Sequence, residues 1–222
     1  VYNLNYFAVG KDNYLTSNTS SESVAEKLSA SNKVYIYKGE ILYDKVSVEN
    51  YKNNNSSMDY RVQIKREEVI KEFVQQKTFY NLSADNDENI KPNVIYNIEV
   101  TCLGDDYYYL NSDASILRNV VKLGNVTNLR IENGKLMWEN PLHTGENSNV
   151  IPNGMQLILK DSGGKEKYIT LTNKEENFVL DNTFAYGRYF VRMQNIGNES
   201  ESGDKNFVNS EIINYKKTVG EN

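Results

Sequence analysis

Apolar and polar residues alternate in several short stretches of this chain, most clearly over residues 96–102. The apolar positions there are Tyr96, Ile98, Val100 and Cys102, and the polar positions between them are Asn97, Glu99 and Thr101. The same alternation runs through residues 2–8 and 189–193. Successive side chains of a β-strand point to opposite faces, so a period of two predicts strands that bury one face in a core.

These three stretches begin copies of a longer internal repeat. Residues 2 and 96 set an offset of 94, at which YNL matches YNI. Further matches follow in the same order: AVG with CLG at residues 8 and 102, YLTS with YLNS at 14 and 109, and GEILY with GKLMW at 39 and 134. A third copy from residue 189 carries IG at 196 and NFVNS at 206. A glycine ends the first strand of each copy and a serine precedes the next strand, so each copy is predicted to contain a hairpin.

Short apolar stretches lie between the copies and are separated by clusters of Gly, Asn, Asp and Ser, which favours a β-sandwich over an α/β fold. Residues 67–76 also fit a short helix, because Val69, Ile70 and Phe73 have helical spacing, but we prefer a strand there. The predicted strands span residues 33–37, 40–46, 60–66, 69–74, 78–82, 94–102 and 112–121, and then 155–160, 166–172 and 177–180.

Two segments resemble fibronectin type III modules. NLRIENGKLMWENP (128–141) resembles strands A and B, with Trp138 as the core tryptophan of strand B, whereas Tyr43 takes that place in the copy before it. YNIEVTCLGDDYYYLNSDAS (96–115) resembles strands F and G, and its glycine, aromatic and Leu-x-Ser order is common in bacterial versions of the module. The resemblance covers nearly the whole chain. It implies an all-β fold of tandem fibronectin-type-III-like (Ig-like) seven-stranded β-sandwiches.

The repeat predicts three units. Residues 1–28 are expected to be the F–G hairpin of a preceding module that lacks its first five strands, and residues 29–122 and 123–222 to be complete fibronectin-III-like modules. In the partial unit the inward face has no opposing sheet, so an exposed surface is expected at Leu4, Tyr6, Val9 and Leu15. Strand G passes through Leu28 or Leu123 almost directly into the next strand A, which favours a stiff, extended rod.

Composition narrows the classes of function. A net charge of −5 without a basic stripe argues against nucleic-acid binding. No apolar run approaches the roughly 20 residues that span a bilayer, so no transmembrane segment is expected. One cysteine excludes a disulfide scaffold. No signal peptide precedes the first strand-like residues, and we expect the chain to be a fragment of a longer protein.

Few residues suggest catalysis. His143 is the only histidine, which excludes most Ser-His-Asp, Cys-His and multi-histidine zinc sites. It is predicted to lie in an exposed B–C loop. The DNDEN stretch at 85–89 has oxygen ligands at alternating positions but lacks the glycine and distal glutamate of an EF-hand loop, so we expect a solvated E–F turn. No catalytic, cofactor-binding or metal residue is assigned. The residues expected in the core are Trp138, Tyr43, Tyr96, Tyr189 and Cys102.

The most unusual local patch is the predicted F–G loop of the middle module. The candidate ligand or partner contacts are Asp105, Asp106, Tyr107 and Tyr108. Exposed tyrosines can stack on a glycan or pack on a protein. The alternative is that Tyr109 packs on its own module while Tyr107 and Tyr108 pack on a neighbouring one.

These features predict non-catalytic spacer modules of a larger bacterial surface or secreted protein, located outside the cell or in the cell wall. Their partners are then the neighbouring domains of the same polypeptide. One alternative is an adhesin-like module that binds a glycan or a host or cell-wall protein through its F–G and B–C loops. Another is an ancillary module of a phage-tail or pilus-like assembly. The same sandwich serves many functions, so fold-level analogy supports all three.

Overall fold

The computed structural model describes residues 2–4, 23–31, 33–48, 51, 57–105, 108–140, 154–172, 175–181, 184–200 and 205–219. In these residues the chain forms β-strands and no α-helix. The strands are β1 (Tyr2–Leu4), β2 (Ser23–Lys27), β3 (Val34–Tyr37), β4 (Glu40–Tyr43), β5 (Tyr60–Lys65), β6 (Val69–Gln75), β7 (Phe79–Tyr80), β8 (Ile95–Cys102), β9 (Tyr109–Leu110), β10 (Ser115–Lys122), β11 (Thr127–Glu132), β12 (Lys135–Glu139), β13 (Met155–Asp161), β14 (Glu166–Leu171), β15 (Asn177–Phe178), β16 (Tyr189–Asn195), β17 (Asn206–Val208) and β18 (Ile213–Val219).

The middle sandwich consists of β3 to β8 and β10. One of its sheets has the strand order β3-β4-β7, and the other has the order β10-β8-β5-β6, with β17 added beyond β10. Both sheets bury apolar side chains in a single hydrophobic cluster, to which Ile36 and Ile41 contribute from the first sheet and Val62 and Ile98 from the second. Two antiparallel sheets that share one core make a β-sandwich.

The C-terminal sandwich repeats this arrangement with β11 to β16 and β18. Its sheets have the orders β11-β12-β15 and β14-β13-β16-β18. Its cluster contains Leu136 and Trp138 from the first sheet and Leu157 and Met193 from the second. The predicted fold class is therefore confirmed: the chain is all-β, with fibronectin-type-III-like sandwiches of seven strands. The exact unit boundaries at residues 28/29 and 122/123 stay a prediction.

Most of the predicted core residues are buried. Trp138, Tyr43 and Tyr96 are each 2% exposed, and Cys102 is fully buried. Tyr189 is only half-buried, so its prediction was wrong. It lies at the first position of β16, where its ring packs edge-on against Phe184 at the margin of the cluster and its hydroxyl donates to the Ala185 carbonyl at 2.8 Å.

The segments 67–76 and 78–82 were predicted to form strands, and the structure places β6 and β7 there. Within residues 67–76, for which a helix was the alternative, Val69–Gln75 form strand β6, which pairs antiparallel with β5. The strand predicted over residues 78–82 contracts to β7, because the chain turns after Tyr80. In that turn the Asp85 N–H donates to the Leu82 carbonyl and the Ala84 N–H donates to the Asn81 side chain.

The first two strands of each sandwich are joined by a two-residue hairpin turn, which we call the A–B turn. In the middle sandwich its residues are Lys38 and Gly39, with φ of 50° and 73°. In the C-terminal sandwich they are Asn133 and Gly134, with φ of 51° and 73°. Two consecutive left-handed residues are characteristic of a type I′ turn, and glycine accepts the second position without steric cost.

The N-terminal hairpin is described only in part. Strands β1 and β2 pair antiparallel, with Tyr2 opposite Ala25. Of the residues expected to be exposed there, Tyr6, Val9, Leu15 and the Leu4 side chain lie outside the described part of the chain. The described residues contain no helix with the length and hydropathy that a membrane crossing requires.

Candidate functional site

The loop between β8 and β10 is closed by side chains that cap its backbone. The Cys102 N–H donates to the Ser112 hydroxyl at 2.9 Å, and the Ser112 N–H donates back to the Cys102 carbonyl at 3.0 Å. The Gly104 N–H donates to the Asn111 side-chain oxygen at 2.8 Å. The Ser112 hydroxyl in turn donates to the Asp113 carbonyl at 2.7 Å. This Asn-Ser pair therefore holds both ends of the loop together.

The loop between β16 and β18 has the same hydrogen bonds at the corresponding positions. The Asn195 N–H donates to the Ser210 hydroxyl at 2.9 Å, and the Ser210 N–H donates to the Asn195 carbonyl at 3.0 Å. The Gly197 N–H donates to the Asn209 side-chain oxygen at 2.7 Å, and the Ser210 hydroxyl donates to the Glu211 carbonyl at 2.9 Å. We call these two segments, 103–112 and 196–210, the F–G loops.

Each F–G loop needs a glycine at its neck. A Cβ atom on Gly104 would lie 2.0 Å from the Tyr109 carbonyl oxygen, and one on Gly197 would lie 2.1 Å from that of Phe207. Both distances are far below any real contact between such atoms. The glycine that the repeat pattern placed at the end of the strand therefore lets the two sides of the loop approach each other.

Each F–G loop also carries a short strand that pairs in parallel with the last strand of the preceding unit. Strand β9 pairs with β2, and β17 pairs with β10. The Leu28 N–H donates to the Leu110 carbonyl at 3.0 Å, and the Leu123 N–H donates to the Val208 carbonyl at 3.1 Å. The two pairings have the same register, so the structure contains one kind of inter-unit contact twice.

An ion pair accompanies each parallel pairing. Lys27 lies 2.6 Å from Asp113, and Lys122 lies 3.8 Å from Glu211. Lys122 is largely buried, and its ammonium group also donates to the Asp85 carbonyl at 2.8 Å. In both cases the lysine ends the strand of the preceding unit and the acid follows the capping serine of the loop.

The second F–G loop additionally contacts the A–B turn of the middle sandwich. The Lys38 N–H donates to the Glu199 carbonyl at 3.0 Å, and the Gly39 N–H donates to the Asn198 carbonyl at 2.8 Å. Asn209 reaches the same turn twice, with its N–H on the Gly39 carbonyl at 3.0 Å and its side-chain Nδ2 on the Lys38 carbonyl at 3.1 Å. These four hydrogen bonds satisfy the outward-facing backbone groups of the turn.

The structure describes two of the four residues of the predicted contact patch, Asp105 and Tyr108. Asp106 and Tyr107 lie outside the described residues. Asp105 uses its carboxylate within the loop, where Oδ1 accepts from the N–H groups of Tyr108 at 2.7 Å and Tyr109 at 2.9 Å. Tyr108 is 55% exposed, and its carbonyl accepts from the Glu26 N–H at 2.8 Å. The patch therefore begins at the contact with the N-terminal hairpin.

The expectation of a solvated E–F turn was wrong for Asp85, whose side chain is 7% exposed. Lys71 donates to its two oxygens at 2.6 and 2.8 Å, Tyr80 donates a short hydrogen bond, and the Asp87 N–H donates at 2.9 Å. Burial by itself raises the pKa of Asp85, but these donors outweigh burial and hold the pKa below its ordinary value. Burial and the adjacent carboxylate raise the pKa of Tyr80.

Cys102 and Trp138 are core residues. Burial raises the pKa of the Cys102 thiol, which disfavours the reactive thiolate. The indole N–H of Trp138 donates to the Glu175 carbonyl at 3.0 Å. His143 lies outside the described residues. Within the described part of the chain, no group of three or more His, Cys, Asp or Glu side chains could hold a metal ion.

Sequence reasoning missed the A–B turn as a contact surface. The repeat aligned Gly39 with Gly134 and the two Asn-Ser pairs with each other, but both matches also fit a purely local role in turns. A usable signal for the contact between units was the recurrence of a lysine and an acid at equivalent repeat positions, Lys27 and Asp113 in one copy and Lys122 and Glu211 in the next.

Comparison with known proteins finds a structural likeness. No family model matches the chain, and no curated protein matches it. Among solved structures it is similar to the crystal structure of the FN1–FN3 domains of chicken CNTN1, at 15% sequence identity and a TM-score of 0.40. That match covers 98% of this chain and 77% of the other. A TM-score this low carries no argument, so strand order and core packing support the fold assignment.

Proposed function

We propose that this chain is a non-catalytic run of fibronectin-type-III-like modules that holds other domains of a larger bacterial surface or secreted protein at a fixed spacing outside the cell. Its partners are the neighbouring domains of the same polypeptide. The observation that carries this proposal is the repeated docking of an F–G loop onto the preceding unit, through β2 with β9 and β10 with β17. The bacterial and extracellular assignments depend on the family resemblance of the sequence.

The joint between the two sandwiches restricts their relative motion in two ways. Strand pairing between β10 and β17 fixes the position along the strand, and docking on the Lys38–Gly39 turn fixes the loop at a second point. Domains of one chain move relative to each other by default, unless their interface is extensive. Two separated sets of backbone hydrogen bonds oppose both bending and rotation, as a spacer requires.

A distance measurement between the sandwiches tests the spacer proposal. Spin labels at Glu67→Cys and Thr170→Cys occupy exposed positions of the two sandwiches, and Cys102 is fully buried and stays unlabelled. Double electron–electron resonance on the full chain should give one narrow distance distribution. A broad distribution, with many relative orientations, would show that the chain is a flexible tether and would contradict the proposal.

The absence of catalysis is part of the proposal. Its support is that the chemically capable groups have structural partners: Cys102 is enclosed in the core, and Asp85 is neutralised by Lys71. Screening the full chain against glycan, peptide and ester substrates should give no turnover. Activity that is abolished by exchanging one acidic residue for its amide would overturn this part.

A binding role is the second candidate, and the exposure of Tyr108 favours it. The contact surface would comprise Asp105, Asp106, Tyr107 and Tyr108, and it would take a glycan or a host or cell-wall protein. Binding to a glycan array and to cell-wall preparations should then weaken on Tyr108→Ala, while Tyr186→Ala, which removes a tyrosine that is 96% exposed, should have no effect. Equal binding by both variants would exclude this surface.

A further inference from the structure

The A–B turn of the C-terminal sandwich is a second copy of the turn that holds the F–G loop on the middle sandwich. Asn133 and Gly134 have φ of 51° and 73°, against 50° and 73° for Lys38 and Gly39. The flanking strands also match, because β11 pairs with β12 as β3 pairs with β4, in each case antiparallel up to the turn. The backbone groups that point away from the hairpin therefore have the same arrangement in both turns.

The two turns differ in what surrounds them. A Cβ atom on Gly39 would lie 1.9 Å from Oδ1 of Asn209, whereas none of the described residues other than its two chain neighbours comes within 4 Å of such an atom on Gly134. The middle turn uses two N–H donors and two carbonyl acceptors in its contact with the loop. Within the described part of the chain, the C-terminal turn presents those four groups to solvent.

The neighbouring strands share one pairing, although the bulge of β18 has one residue more than that of β10. Val120 of β10 pairs with Tyr96, and Val219 of β18 pairs with Tyr189, which is the equivalent tyrosine of the repeat. Strand β17 joins β10 from Val120 onward. Val219 therefore marks the point at which a parallel strand would join β18, and β18 also contacts β11, the strand that leads into the Asn133–Gly134 turn.

We propose that the Asn133–Gly134 turn, together with the end of β18, is a docking site for an F–G loop of the same build, namely a neck glycine, a short strand and an Asn-Ser pair, carried by a sandwich that continues directly from β18. The occupant is defined by hydrogen-bond complementarity: its loop supplies two carbonyls together with the backbone N–H and the side-chain amide of an asparagine, as Asn198, Glu199 and Asn209 do on the middle turn. This inference extends the proposed spacer function, since it makes the stacking contact repeatable.

The test extends the chain in that register. Residues 121–222 are appended directly after Val219, so that the junction has the sequence found after Val120 and the added sandwich brings its own core cluster. Amide hydrogen exchange is then followed by NMR at Asn133 and Gly134, in the original and in the extended chain. Lys38 and Gly39 serve as the internal reference, because their amides are already hydrogen-bonded across the joint.

Exchange at Asn133 and Gly134 should slow by roughly tenfold or more on extension, since each amide gains a hydrogen-bond acceptor. Gly134→Ala in the extended chain should abolish that protection, and Asn209→Ala in the added copy, which removes one of the four hydrogen bonds, should reduce it. Unchanged exchange at Asn133 and Gly134, with the added copy folded, overturns the proposal. So does protection that Asn209→Ala in the copy leaves unaltered.

These outcomes are separable from those of the spacer proposal. Unprotected amides at Lys38 and Gly39 in the original chain would contradict the joint on which the spacer function depends. Protected amides there, with unprotected Asn133 and Gly134 in the extended chain, would leave the spacer function intact and reject only the second docking site.

Discussion

A methyl group at Gly39 should open the joint between the two sandwiches, and the same change at Gly134 is its matched control. Both glycines are at the second position of an A–B turn with φ of 73°. Alanine in the left-handed region costs about 1–2 kcal/mol at either position. That cost is local to the hairpin and equal in the two variants, so their difference isolates the contact with the F–G loop.

The size of the difference follows from the contacts at Gly39. The new Cβ would lie 1.9 Å from Oδ1 of Asn209, and that oxygen cannot turn away freely because it accepts from the Gly197 N–H at 2.7 Å. The loop must therefore withdraw from the turn. Among the described residues four hydrogen bonds join them, each worth about 0.5–1.5 kcal/mol net, so losing them should destabilise Gly39→Ala by about 2 kcal/mol or more relative to Gly134→Ala.

Urea unfolding of the two full-length variants measures this difference directly. Amide exchange at Lys38 and the distance distribution between labels at residues 67 and 170 report on the joint itself. We expect faster exchange and a broader distribution in Gly39→Ala only. If both variants lose the same stability and keep the same narrow distribution, the loop does not hold the sandwiches together and the reasoning is refuted.

Three further changes test the core, the loop and the E–F turn. Trp138→Ala should cost about 3–5 kcal/mol in urea unfolding, because the indole is 2% exposed and fills the C-terminal core, whereas a loss under 1 kcal/mol would contradict that role. Ser210→Ala removes the hydroxyl that caps the Asn195 N–H and should cost about 1–3 kcal/mol, and no loss would show that the cap is dispensable. The folded-state pKa of Asp85 is lowered, so the stability it contributes is present above its ordinary value of 3.8 and is lost as pH falls through the folded-state value. The difference in unfolding free energy between the original chain and Asp85→Asn should therefore shrink on going from pH 6 to below pH 3.8, and a constant difference would argue against the charged partner.

The strands that face the core were predictable because their signal is local. In β5, Tyr60, Val62 and Ile64 are buried and the residues between them are not, as a period of two requires. The burial of Asp85 was not predictable in this way. Its acidic neighbours indicate a solvated turn, and its partner Lys71 lies on another element, so only the folded chain brings the two charges together.

The joint lay beyond sequence reasoning for a different reason. Strand β17 has only three residues, so its alternation of two buried residues around a half-buried one is too short for a pattern search to detect. The A–B turn uses N–H and carbonyl groups that every residue carries. The sequence does show the residues on which those contacts depend, namely the neck glycine, the turn glycine and the Asn-Ser pair.

Backbone hydrogen bonds form much of the joint, but buried side chains contribute as well: Val208 is 1% exposed and packs in the middle core, and Asn206 Nδ2 donates to the Arg118 carbonyl at 2.9 Å. The exposed side chains at the contact are free to change, provided that the loop closes and the turn keeps its left-handed residues. The Asn-Ser pair meets the first condition in both F–G loops, and glycine meets the second in both A–B turns. The lysine–acid pairs give the joint a direction along the chain, because in both pairs the lysine belongs to the preceding unit and the acid to the following one. The Lys27–Asp113 pair is exposed and contributes little stability, whereas Lys122 is largely buried, and both pairs favour one register of the joint over its neighbours.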